Sequence, residues 1–157
     1  MKQISFTFLL MFIFSCSGNR QSEQAIYMGK VEAFTLLEEL HHDLHVMIGE
    51  DHGHTFDEHE HMSPGAAFEK FRKAIFATTN PEIIPIREAC NRVAEIPASP
   101  DNNGYNKFML IDALVDMYQV GLQLQIEGIL RGHGCYYPDT SSKLMQTYYS
   151  CISNAEE

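Results

Sequence analysis

The sequence predicts an all-α protein, a helical bundle of four main helices plus a short C-terminal helix. Apolar residues recur at steps of three and four over long stretches, while strand alternation is almost absent. Cap and stop residues stand where these stretches begin and end. With 157 residues, 45% of them hydrophobic, the chain makes one domain able to bury a real core.

The first expected helix covers residues 24 to 48. Its stripe is Val31, Phe34, Leu37, Leu40, Leu44, Met47 and Ile48, and Gly49 stops it. The second starts at Ser63-Pro64, with Ser as the cap and Pro in the first helical position. It carries Ala67, Phe68, Phe71, Ala74 and Ile75 and ends near Thr79. Asn80-Pro81-Glu82 repeats the cap logic and opens the third helix, whose stripe is Ile83, Ile86, Cys90 and Val93. Pro85 falls in its first turns, where proline is tolerated. "PASPDNNG" is a loop. The fourth helix runs over residues 105 to 131, about 40 Å at 1.5 Å per residue. Phe108, Ile111, Val115, Tyr118, Leu122, Ile126 and Ile129 form its stripe. Asp112, Asp116, Gln119, Gln123 and Glu127 read as the opposite, polar face. The short last helix holds Leu144, Met145, Tyr148, Cys151 and Ile152.

The leading segment reads as an address. Lys2 precedes an apolar run over residues 6 to 14, too short for a bilayer, which takes roughly 20 residues. The run ends in Ile13-Phe14-Ser15-Cys16, which resembles a bacterial lipobox. That resemblance implies export, lipidation of Cys16 and anchoring to the cell envelope through acyl chains. An ordinary secretory cleavage nearby, leaving a soluble exported protein, stays open. The expected organisation is therefore a signal peptide at 1–15, a tether at 16–23, and one helical domain at 24–157 with a His-rich loop at 49–62.

Four cysteines are present. With Cys16 lipidated, Cys135 and Cys151 are the expected disulfide, pinning the last helix to the body in an oxidising compartment. Cys90 lies on an apolar stripe and reads as a buried small hydrophobe. No CxxC or CxxCH occurs, so neither a thioredoxin-like site nor c-type haem is expected. The formal net charge of -10 argues against nucleic acid, whose phosphates need Lys and Arg. It favours cations or a basic protein partner, or serves solubility alone.

Seven of the eight histidines lie between residues 41 and 61. Imidazole suits Zn, Cu and Ni, and carboxylates can complete the shell. His41 and His45 are four apart on the first helix, and Glu38 is one turn earlier on the same side. His52, His54, His59 and His61 follow in the loop "DHGHTFDEHEH", which could wrap around an ion at the cost of ordering it. The other readings are a solvated acidic loop and a pH-responsive one. A di-iron bundle core is excluded, because it needs Glu-x-x-His on two helices and the second to fourth helices hold no His. No glycine-rich phosphate loop or GxSxG occurs, so neither a nucleotide nor enzyme activity is expected.

From Tyr118 the chain reads "YQVG", then "CYYP" at Cys135, then an amphipathic helix with Leu144 and Tyr148. This order is similar to the tail of the Rap1a/Tai4 family of small exported helical immunity proteins, over about a quarter of the chain. The resemblance implies an inhibitor of a periplasmic toxin, its acidic surface meeting a basic enzyme. Metal binding is the first functional expectation and a protein-interaction module the second.

Overall fold

The first helix, α1 (Ile4–Ile48), begins well upstream of the expected start near Gln24 in the computed structural model. The structure describes residues 4–49, 61–97 and 103–152, with the backbone alone over 4–20. Helix runs unbroken through residues 16–23, where the composition suggests a tether. No proline falls between residues 4 and 48. The glycines at 18 and 29 cost only about 1 kcal/mol each in a helix interior. No helix among the described residues is long and apolar enough to cross a membrane.

The remaining helices are α2 (Pro64–Ala77), α3 (Ile84–Glu95), α4 (Tyr105–Gly132) and α5 (Leu144–Cys151). Single 3-10 turns at Pro81–Ile83 and Ser141–Lys143 lead into α3 and α5. The described residues include no strand, and the all-α bundle is as expected.

Local chemistry sets the helix starts. The Ser63 hydroxyl accepts from the Ala66 amide at 3.3 Å, and the Asn80 side chain accepts from the Glu82 amide at 2.9 Å. Each satisfies one of the amides a helix leaves unpaired at its first turn. α4 starts differently, at Gly104 with φ of 83°. The Gly65 amide donates to the Asn103 carbonyl at 2.9 Å, drawing the starts of α2 and α4 together. A Cβ on Gly104 would stand 2.7 Å from the Gly65 Cα.

α4 is the central helix, packed against α1, α2 and α3. Phe108, Ile111, Val115, Leu122, Ile126 and Leu130 form its buried line. Tyr27, Val31, Phe34, Leu37 and Leu44 come from α1, with Phe68, Phe71 and Ile75 from α2. α1 and α4 run antiparallel. His45 meets Phe108, His41 meets Asp112, Lys30 meets Gln125 and Glu23 meets His133, so the numbers fall on one helix as they rise on the other.

α5 is fastened at two points. The buried Tyr27 hydroxyl donates to the Leu144 carbonyl at 2.9 Å, and its ring lies 4.7 Å from that of Tyr148. Burial pushes the Tyr27 hydroxyl up to about 12, aided by the neighbouring Tyr137 and Tyr148. The expected Cys135–Cys151 disulfide is present, with Cα atoms 6.1 Å apart. Closing a loop of this length stabilises by roughly 3 kcal/mol in the chain-entropy account.

Cys90 is fully buried and free, as its stripe suggested. Burial pushes its thiol up to about 12 against the lowering pull of Arg72. The thiolate is the reactive form. Iodoacetamide at about pH 8 should therefore alkylate Cys90 at least about a hundredfold more slowly in the native chain than in denaturant. Peptide mass spectrometry reads the rates, and equal rates would show that the thiol is accessible. A second expectation concerns the glycine contact. Gly104→Ala should lower unfolding free energy by about 1–3 kcal/mol in urea denaturation, since the left-handed φ and the Gly65 backbone both resist a Cβ.

Candidate metal centre

At the C-terminal end of α1, the helix repeat sets His41 and His45 one turn apart, facing α4. Their rings lie 5.0 Å apart, and the ring of His45 stands edge-on to buried Phe108 at 5.6 Å. Asp112, one turn after Phe108 on α4, faces both. Its Oδ1 lies 2.7 Å from the Nε2 of His41 and 2.7 Å from the Nε2 of His45. The two Nε2 atoms are 3.3 Å apart. Among the described residues this is the group of three metal-ligand side chains whose donor atoms converge.

The spacing suits a small divalent ion. A tetrahedral ion with bonds of about 2.0–2.1 Å separates its ligand atoms by about 3.3 Å. The nitrogen pair already stands at that distance. The two nitrogen–oxygen edges are shorter and would open by about 0.6 Å on binding, a small rotation of the Asp112 side chain. Without an ion the same three atoms are joined by protons, the carboxylate accepting from the imidazoles. A metal would replace those protons and draw its ligands from two helices.

The three side chains are 15%, 21% and 18% exposed, so one side of the triad faces solvent. Two nitrogens and one carboxylate leave at least one position of a tetrahedral shell for water or an incoming ligand. The Asp116 carboxylate, one turn further along α4, lies 3.5 Å from the Nδ1 of His41. A carboxylate behind the distal nitrogen fixes a ring's tautomer and keeps the other nitrogen available to the metal.

Of the remaining expected ligands, Glu38 and His61 are placed elsewhere. Glu38 shares the helix side but accepts a hydrogen bond from the Ser141 hydroxyl at 2.7 Å. Seven residues separate it from His45, about 10 Å along the axis. His61 returns beside the end of α1, where the Met62 amide donates to the Met47 carbonyl at 2.7 Å. Its ring stands against Gly49, close enough that a Cβ there would lie 2.8 Å from it. His52, His54 and His59 lie outside the described residues, as does the side chain of Cys16. Asp112 and Asp116 were missing from the expected set. Their sequence signal was an i, i+4 acid pair bordering the α4 core stripe, and it becomes a ligand signal only once the α1–α4 register is known.

No family model, curated protein or solved structure matches the chain. If Asp116 orients His41, Asp116→Asn should weaken zinc binding by about tenfold while leaving the far-ultraviolet circular dichroism unchanged. Unchanged affinity would remove Asp116 from the site.

Proposed function

We propose that this protein binds a transition metal, Zn, Cu or Ni, at His41, His45 and Asp112, and that it holds or hands on the ion rather than catalysing a reaction. The observation that carries this reading is the convergence of two imidazole nitrogens and one carboxylate oxygen from two packed helices. Rigid helices hold the ligands near their final positions, which lowers the ordering cost that a loop site would carry. An open side lets a carrier or chelating partner reach the ion. The loop histidines at 52, 54 and 59 are auxiliary ligands in this scheme, an additional supply of imidazole in the same chain.

The lipobox-like Ile13-Phe14-Ser15-Cys16 supports an exported chain held at the envelope membrane by a lipid on Cys16. The disulfide is compatible with an oxidising compartment. A second reading, a module that binds a basic protein such as a toxin, draws on one specific feature. Tyr136 is 90% exposed in the turn that the disulfide pins, and exposed tyrosines are favoured contact residues.

Calorimetric titration of the full chain with Zn(II), and separately with Cu(II), tests the metal reading. Micromolar or tighter binding at about one ion per chain is expected, lost by more than about tenfold in His41→Ala/His45→Ala and in Asp112→Ala. Only millimolar affinity in the wild type would overturn the proposal. So would binding that survives these changes and disappears when His52, His54 and His59 are replaced.

A further inference from the structure

α4 carries a second apolar line, on the side its core packing leaves open. Leu110, Met117 and Leu124 are 43%, 71% and 62% exposed, and Met109 and Val120 beside them are 45% and 56% exposed. At about 100° per residue, the pole of α4 pointing away from its buried line holds Leu110, Ala113, Met117, Gly121 and Leu124. A solvent-facing helix surface is normally charged. Here the first charge on that pole toward the C-terminus is Arg131. The five large side chains expose on the order of 500 Å² per copy, a patch of the size that on soluble proteins marks an interaction site.

The order of residues points to the occupant. Leu110, Ala113, Met117, Gly121 and Leu124 follow one another at steps of three, four, four and three, the same read in either direction. A two-fold axis through Met117 and perpendicular to α4 would set Leu110 against Leu124 of the partner subunit. It would also set Ala113 against the partner's Gly121. Large then faces large at the ends, and small faces small between them. A two-fold interface requires one patch to be complementary to itself, and this patch has that property in its sequence. At Gly121 a Cβ would meet nothing within 4 Å, so the surface is open for a second helix to lie on. Complete burial of two such patches removes about 1,000 Å² from water, the threshold size for a specific biological contact. We infer that the protein is a homodimer formed by antiparallel pairing of α4 with α4 about Met117.

Sedimentation velocity of the full chain at about 1–100 µM should show a species of twice the monomer mass. Met117→Lys should convert it to a monomer that keeps its far-ultraviolet circular dichroism and still melts cooperatively, now independently of concentration, because that side chain is solvated in the monomer. Cysteine cross-linking in a Cys16→Ser chain reports the direction. Met117→Cys should cross-link to itself, and Leu110→Cys should cross-link to Leu124→Cys but not to another Leu110→Cys. A wild-type monomer across this range overturns the inference, as does a dimer that Met117→Lys leaves intact. Leu110→Cys pairing with itself would mean a parallel contact and overturn the antiparallel one. A monomer that cosediments with phosphatidylglycerol vesicles only when Met117 is present would assign the patch to a lipid surface instead.

Discussion

Along the seam between α1 and α4, Leu37 and Leu44 are buried from one side and Phe108, Ile111 and Val115 from the other. Burying a large aliphatic or aromatic side chain stabilises by about 1.5–3 kcal/mol, so these five supply on the order of 10 kcal/mol before chain entropy is counted. The same contact positions the chemistry. A shift of one residue along either helix rotates its side chains by about 100° and would swing Asp112 away from the two imidazoles. The register that buries Phe108 is therefore the register that closes the triad. Preorganisation of the site comes from the hydrophobic core rather than from the ligands.

Polar links along this seam contribute specificity more than energy. Lys30 reaches Glu82 at 3.0 Å and Gln125 at 2.7 Å, tying α1 to the start of α3 and to α4. At the far end His133 pairs with Glu23. Surface pairs such as the exposed His133–Glu23 are worth about 0–1 kcal/mol. Their use is in discriminating one register from its neighbours. Tyr118 and Asn80 assist by bonding backbone carbonyls, Tyr118 to Glu82 at 2.5 Å and Asn80 to Gly29 at 2.8 Å. With these in place, the start of α3 is held against both long helices.

Helix starts at Ser63 and Asn80 were legible in the sequence because a cap acts within three residues. The core stripes were legible because burial imposes a short period. Asp112 was not legible as a ligand, since its partners lie about 70 residues away and periodicity carries no information about the register between helices. The start of α1 was misplaced because polar, small residues read as a tether, although nothing among them breaks a helix. The outer face of α4 was misread for a geometric reason. Residues four apart drift about 40° per step around a helix. The line from Asp112 through Asp116 toward Glu127 therefore runs beside the core stripe, and the pole opposite the core falls to Leu110, Met117 and Leu124.

Burial of Cys90 also bears on the durability of the covalent clasp at the other end of the chain. Disulfides rearrange when a thiolate attacks one of their sulfurs, and the rate follows the population and reach of that thiolate. Cys90 is buried on the core side of α3 with its ionisation suppressed, so among the described residues no free thiol can reshuffle Cys135–Cys151. A free cysteine inside a disulfide-bonded domain, ordinarily a route to scrambled isomers, is made harmless here by sequestration. The pairing that holds α5 then persists for as long as the core stays closed.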